Sequence, residues 1–350
     1  MEKVDIRSLT SAQLEATVTE LGWPSFRARQ LRQWLDNGVT DFAQMTNLPA
    51  AMREQLRTRY TVPGVRIVKK LVSTIDGTVK YLFALSDGET VESVLMHYHH
   101  GWSQCLSTQV GCRMGCSFCA TGMGGLIRNL AASEMVAQIE EAQRDCGIRV
   151  SSIVLMGMGE PLDNFEQVTR FLDMLGTEGG VHIGMRHISL STCGLVDKIR
   201  LLMDKEYAIT LSISLHAPND ALRSRLMAVN RRWPVEELLT ACREYIARTG
   251  RRISFEYAMI RGVNDTDECA HELAGRLKGM LCHVNLIPAN EVEGKAHRRS
   301  SRERLEAFQH ILEKQGVTTT IRRTLGADIQ ASCGHLRRQA DRETKGGEVQ

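Results

Sequence analysis

Three cysteines, Cys112, Cys116 and Cys119, stand at C-x3-C-x2-C spacing in the run from Gly111 to Gly122. Three thiolates can hold three irons of a four-iron cluster and leave the fourth iron open to a reactant. A structural zinc site would want a fourth Cys or His close by, and the downstream candidates Cys146 and His187 lie far along the chain. The spacing therefore favours a 4Fe-4S cluster with one vacant position, with zinc or buried free thiols as the alternatives. Met156-Gly-Met-Gly-Glu-Pro-Leu-Asp163 sets Gly157 and Gly159, which let backbone approach a ligand, beside the carboxylate of Glu160. Such a stretch is more often a plain turn, but its place after a strand-like run favours a site. Ser191-Thr192 and Ser214-Leu215-His216 close two further runs, where hydroxyls and backbone groups could bind a sugar or a carboxylate. Asn285 and Asn290 flank another; an amide both donates and accepts, and Asn290, beyond the run, is the better candidate.

Cys333 lies in a glycine-bounded loop from Gly326 to His335, after the last strand-like run. That loop would expose a thiol on the side of the cysteine triad, although a free cysteine is more often inert packing. Cys105 comes just before the triad, while Cys146, Cys242, Cys269 and Cys282 fall in helical or helix-to-strand contexts that suit packing. Cys193, after Ser191-Thr192, has no evident role. Glu92 points away from its apolar neighbours in Val91-Glu92-Ser93-Val94, as either a solvated or a catalytic carboxylate would.

These residues need a scaffold, and the hydrophobic periodicity supplies one. Helical patterns run from Ser11 past Leu21, from Phe26 to Leu35 and from about Pro49 to Arg57. Three short strands follow between residues 65 and 98, with turns at Asp76-Gly77 and Asp87-Gly88. Beyond Gly101, strand-like runs at 106–110, 153–156, 188–191, 209–214, 253–259, 283–287 and 318–321 alternate with helical stretches. Alternation of this kind implies a parallel sheet with helices outside, and the number of units favours a partial (β/α)6 barrel of the α/β class over a flat doubly wound sheet. In either form the reactive groups sit at the carboxyl ends of the strands. The expected organisation is an accessory helical and β module over residues 1–100, a catalytic domain over 101–340 and a polar tail over 341–350.

At 350 residues the chain can bury a full core. No apolar run has the length of a membrane-spanning helix, and no signal-peptide core appears near Glu2, Lys3, Asp5 and Arg7. Ten cysteines spread through a chain of this size fit a reducing cytoplasm better than a disulfide framework. A net charge of +3 excludes a polycation, so a nucleic-acid surface would need local patches. Arg27, Arg29 and Arg32, then Arg298, Arg299, Arg302 and Arg304, then Arg322 with Arg323 and Arg337 with Arg338 are the candidates. Any one of them alone reads equally as a solvated helix face.

The cysteine spacing with its glycines and Phe118 resembles the signature of radical S-adenosylmethionine (SAM) enzymes. Together with the loops above, the chain as far as Leu336 resembles the radical SAM RNA adenine methyltransferases that make 2-methyladenine or 8-methyladenine. The resemblance implies that Cys112, Cys116 and Cys119 ligate the cluster, and that Gly159, Glu160, Ser191, Ser214, Leu215, His216 and Asn290 contact SAM. It further implies that Cys333 is methylated by one SAM, that a 5′-deoxyadenosyl radical from a second SAM takes hydrogen from the S-methyl group, and that the carbon radical adds to adenine. Glu92 is then nominated as proton acceptor, and Cys105 as the thiol that frees the product through a transient disulfide. Such a route suits the chemistry, because C2 and C8 of adenine are electron-poor and do not attack an electrophilic methyl.

Gly159-Glu-Pro-Leu-Asp-Asn164 and Leu215-His-Ala-Pro-Asn219 look like the C2 enzymes, whereas Tyr98-His-His-Gly-Trp102 leans toward the C8 resistance enzymes. Gln330, Ser332 and His335 depart from the usual residues around the methyl-carrying thiol. The implied partners are 23S ribosomal RNA, tRNA and a low-potential electron donor, and the expected protein is a monomer without membrane contact. A radical enzyme for a peptide or metabolite would have no use for Cys333 with Cys105. A zinc-stabilised RNA-binding protein would be colourless.

Overall fold

The computed structural model describes residues 3–176, 180–292, 294–331 and 336–337. The first unit is helical. Strand β1 (Val4–Asp5) pairs in parallel with β2 (Tyr60–Thr61), and between them run α1 (Ser11–Glu20), α2 (Phe26–Asp36) and α3 (Ala50–Arg59). The N-cap of α1 is Thr10, in a reciprocal capping box with Gln13, and Ser11 is the first helical residue rather than the cap. Ile6, Leu14, Val18, Leu31, Leu35, Phe42 and Leu56 form a core of their own. Arg7 is buried against the main body, with Nη2 donating to both carboxylate oxygens of Glu140 at 2.5 and 2.6 Å.

A single ten-stranded sheet carries the remainder. In chain order its strands are β3 (Arg66–Val72), β4 (Val79–Ala84), β5 (Thr90–Tyr98) and β6 (Gly101–Cys105), then β9 (Val150–Leu155), β10 (Ile188–Thr192), β11 (Thr210–Ser214), β12 (Ile253–Met259), β13 (Cys282–Pro288) and β14 (Thr319–Ile321). A separate hairpin, β7 (Gln109–Gly111) with β8 (Leu126–Asn129), brackets the cysteine loop. Within the ten-stranded sheet every pairing from β6 through β9 to β14 is parallel, and β3 to β6 form an antiparallel meander along one edge. The helices between are α4 (Ala132–Cys146), α5 (Phe165–Leu175), α6 (Val196–Met203), α7 (Asp220–Leu226), α8 (Val235–Thr249), α9 (Asp267–Leu277) and α10 (Arg302–Lys314). Ile153, Leu190, Leu211, Ile213, Phe255 and Leu286 are fully or almost fully buried in the common core.

Two expectations change. The strands between 65 and 98 do not pair with the N-terminal helices but extend the main sheet, with β5 meeting β6 from Val94↔Cys105 to Tyr98↔Gly101. A boundary at residue 100 therefore cuts a hairpin. The first parallel strand is Gly101–Cys105, not 106–110. Beyond Leu106 the chain leaves the ladder because buried polar side chains supply other partners. Ser107 Oγ donates to Glu92 O at 2.6 Å and accepts from Met158 N at 2.9 Å, and Ser107 N donates to Gln138 Oε1.

Candidate active site at the carboxyl ends of the strands

The cysteine loop hangs from the β7–β8 hairpin. Gly111, at φ +80°, packs so closely that a Cβ there would stand 2.0 Å from Gly125 O. Cys112 N donates to Gly125 O at 2.8 Å, and Ser117 N donates to Leu226 O at 2.8 Å, tying the loop to the end of α7. Cys112, Cys116 and Cys119 all face one cavity of about 280 Å3 over the sheet. Among the described residues no His, Cys, Asp or Glu side chains gather as a single-ion site; the three thiols stand around an open bowl. Burial pushes the Cys112 thiol up to about 12 and Cys116 higher still. Without metal these sulfurs are thiols, and bound iron is what would make them thiolates. The donor set and the space fit an iron–sulfur cluster.

The residues nominated for the cofactor converge on this bowl. Gly159, Glu160, Ser191, Ser214, His216 and Asn290 line it. Leu215 does not; its side chain is buried, and its backbone bonds to Glu256 and Arg223. Gly157 is there for lack of room, since a Cβ would stand 2.4 Å from Leu106 O. Glu160 is held from three sides: its N–H donates to Gln109 Oε1, Oε1 accepts from Leu162 N, and Oε2 accepts from Cys193 N at 2.8 Å. Burial raises its pKa.

His216 sits at φ +58° with Nδ1 accepting from Ala258 N at 2.9 Å, so the neutral ring carries its proton on Nε2. Burial, then the charge of Arg223, lowers its pKa to about 3. Between the unfolded value near 6.5 and about 3 the unfolded chain binds the extra proton, so His216 costs stability as pH falls through that window. The loss is on the order of 1.4 kcal/mol per pH unit. His216→Asn, whose amide oxygen replaces Nδ1 and which tolerates left-handed backbone, is expected to flatten this acid limb in urea unfolding at stepped pH. An unchanged limb would show that His216 is protonated in the fold.

Several site residues escaped the sequence reading. Gln109 braces Glu160. Glu256, inside β12, accepts from Asn285 Nδ2 at 2.7 Å and from Ser254 Oγ at 3.0 Å. Burial raises its pKa and Arg322 opposes the rise. A carboxylate within the buried run Ile253–Met259 was the available signal. Cys193 turns out to matter through its backbone, whose N–H meets Glu160 and whose carbonyl meets Arg223.

Cys105 opens on an adjoining cavity of about 190 Å3, which shares Met156, Ile287, Asn290 and Arg322 with the bowl. The C-terminal loop covers it and is latched to the edge meander. Gly326 N donates to Asp76 Oδ2, Ser73 Oγ and Thr74 N donate to Asp328, and Lys80 Nζ donates to Gln330 O at 2.9 Å. Ala331 packs beside Cys105; Cys333, like Ser332 and His335, lies outside the described residues. Glu92 is completely buried, so solvation does not explain it. Its Oε2 pairs with Lys80 at 3.1 Å, and its Oε1 accepts from Arg337 N at 2.7 Å, which ties the far side of the same loop.

Known proteins resemble both halves of this arrangement. The radical SAM superfamily model matches residues 106–274, and the model described as the ribosomal RNA large subunit methyltransferase N-terminal domain matches residues 4–62. A probable dual-specificity RNA methyltransferase RlmN from Alkaliphilus oremlandii is 52% identical over 339 residues, covering 97% of this chain and 99% of the relative. The protein of the same name from Lachnoclostridium phytofermentans is 48% identical over 349 residues, covering 99% and 98%. A crystal structure of a radical SAM methyltransferase from Sphaerobacter thermophilus superposes with TM-score 0.89 at 46% identity, covering 95% of this chain and 98% of that one. With about half its residues shared along nearly the whole length of such relatives, and its three thiols around one bowl at the strand ends, this chain belongs to the RlmN family of radical SAM RNA methyltransferases.

Proposed function

We propose that this protein methylates C2 of an adenine in 23S ribosomal RNA and of an adenine in tRNA, by way of a methyl group first placed on Cys333. The observation that carries the reading is the junction of the two cavities: the bowl of Cys112, Cys116 and Cys119 meets the cavity of Cys105 along Met156, Ile287, Asn290 and Arg322, and the chain leading to Cys333 covers that junction. In this reading the three cysteines hold the 4Fe-4S cluster, which when loaded supplies the electron for reductive cleavage of SAM. Glu160 would face its amino group, and Ser191, Ser214, His216, Asn290 and the backbone of Gly159 would hold its polar edges, while the glycines at 157 and 159 answer to crowding by Leu106 and Gln109 rather than to a ligand. Cys333 takes a methyl group by ordinary displacement and later delivers that carbon to the ring. Glu92, held by Lys80, accepts the ring proton. The Cys105 thiolate then attacks the Cys333 sulfur and breaks its bond to the transferred carbon, which leaves with the electron pair and takes up a proton to become the methyl group; the resulting disulfide is reduced by two electrons before the next turnover.

The C8 product is the less favoured alternative, since the relatives at about half identity carry the RlmN name. Mass spectrometry of RNA from cells with and without the gene should place the methyl group on C2, and a methyl on C8 would overturn the assignment. Cys105→Ala should slow release, leaving RNA covalently attached to the protein on a denaturing gel. Free product at the wild-type rate would remove Cys105 from the scheme.

We assign residues 4–62 and the exposed arginines to the RNA grip, and a low-potential carrier as electron donor to a cytoplasmic monomer. Among the described residues no helix is long and apolar enough to cross a membrane. Of the nominated arginines, Arg32 donates to Leu9 O, Arg302 pairs with Glu306, and Arg304 pairs with Asp267. Arg29, Arg298 and Arg323 remain exposed. Replacing these three by glutamine is expected to weaken RNA binding and to flatten its salt dependence, by about one unit of log–log slope for every phosphate that the arginines neutralise. An unchanged slope would return them to solvent.

A further inference from the structure

Arg223 is buried under the bowl with no exposed surface. It stands on α7, whose Leu226 carbonyl holds the cysteine loop through Ser117 N, and Met227 just beyond lines the bowl. Its Nη2 donates to Cys193 O at 2.6 Å and Ser214 O at 3.2 Å, its Nε to Leu215 O at 3.1 Å and its Nη1 to Asn230 Oδ1 at 3.0 Å. All four acceptors are neutral, and among the described residues no carboxylate touches the guanidinium. Around it, beyond hydrogen-bond reach, stand the thiols of Cys193, Cys116 and Cys242, the carboxylate of Asp220 and the neutral ring of His216. Asp220 is exposed and reaches it only through Asn230, whose Nδ2 donates to Asp220 Oδ1 at 2.9 Å. Glu160 meets Cys193 from the opposite side, at its N–H.

An arginine cannot shed its proton to escape such a place, and an unpaired buried ion costs several kcal/mol. Its balancing charge is to be sought on the cysteine side. Three thiolates outweigh the positive iron–sulfide core, so the loaded site is anionic, and reduction adds one more negative charge. We propose that Arg223 is the internal counter-ion of the iron–sulfur cluster and sets its reduction potential by stabilising the reduced form. The proposal rests on Cys112, Cys116 and Cys119 being the iron ligands. A fixed charge in a water-poor interior acts with little screening, and net charge is one of the quantities that tunes such clusters. The competing account makes Arg223 a strap that ties the ends of β10 and β11 through their carbonyls, with no electrostatic part.

The test is a redox titration of the anaerobically loaded full-length protein, followed by the electron paramagnetic resonance of the reduced cluster. Arg223→Gln removes the charge and is expected to shift the reduction equilibrium at least about tenfold toward the oxidised form, a fall of ~59 mV or more for one electron. Arg223→Lys keeps the charge and is expected to stay within that tenfold. The paired exchange Asp220→Asn with Asn230→Asp moves one carboxylate onto the guanidinium at constant total charge and should lower the potential as Arg223→Gln does. It decides the matter should Arg223→Gln fail to fold.

Removing the cluster by chelation should also lower the Tm of the wild type more than that of the exchange variant, in which the cation keeps a partner. An exchange variant with wild-type potential and wild-type Tm loss overturns the proposal, as does Arg223→Lys falling as far as Arg223→Gln, the result expected of a strap. A wild type that binds no iron would instead sink the ligand assignment beneath it.

Discussion

Cys119→Ala is expected to give colourless protein that makes no methylated RNA, whereas Cys333→Ala is expected to give brown protein that equally makes none. Cys119 is a half-buried residue on the cysteine loop, and the loop keeps its anchors at Gly125 and Leu226 when one sulfur is removed. The barrel should therefore stay folded while the cluster, left with two thiols, is not retained. Cys333 stands outside that donor set, so its loss should spare iron content, visible absorbance and SAM binding. In both variants methyl transfer should fall at least about a thousandfold, equivalent to ~4 kcal/mol of activation. Iron analysis, absorbance and methyl counting on RNA separate the two. Methylated RNA from Cys333→Ala would sink the carrier role, and a full iron complement in Cys119→Ala would sink the ligand role.

Gly111→Ala is the most disruptive change expected from backbone geometry alone. The left-handed φ of +80° costs a side chain about 1–2 kcal/mol. Forcing apart Gly125 O, 2.0 Å from the new Cβ, adds roughly 1–3 kcal/mol and displaces the hairpin that carries the cysteine loop. Gly115 is the internal control: it too is left-handed, at φ +66°, but nothing lies within 4 Å of a Cβ there. Gly115→Ala should lose about 1–2 kcal/mol and keep its iron, while Gly111→Ala should lose about 2–5 kcal/mol and much of its iron. Thermal unfolding and iron content report both; equal losses would mean that conformation alone, without crowding, governs the loop.

The parts of the fold visible in the sequence were those with short-range causes. The 3.6-residue pattern marks α2 from Phe26 to Leu35, one residue short of its observed end at Asp36. The expected α/β partial barrel is the one observed. Residues 106–110 read as a strand because Leu106, Thr108 and Val110 alternate with polar residues, yet the partners of Ser107 and Gln109 lie on Glu92, Met158, Gln138 and Glu160. No local pattern announces partners at such separation. The edge strands went to the wrong neighbour for the same reason: an antiparallel meander reads identically whether it packs on helices or extends a sheet.

What the sequence determined by itself was the chemistry, because a set of donors at C-x3-C-x2-C spacing lies within one loop and carries its meaning in that spacing. Only the tertiary structure decided the charge environment: that Glu92 is buried against Lys80, that burial holds the pKa of His216 low, and that Arg223 is enclosed with no carboxylate against it among the described residues. Ionic balance in a protein interior is summed over everything within several ångströms in space. Even neighbours in chain order, such as Lys80 and Glu92 on consecutive strands, face each other only through the register of the sheet, and Arg223 meets Cys193 only because α7 packs under the end of β10.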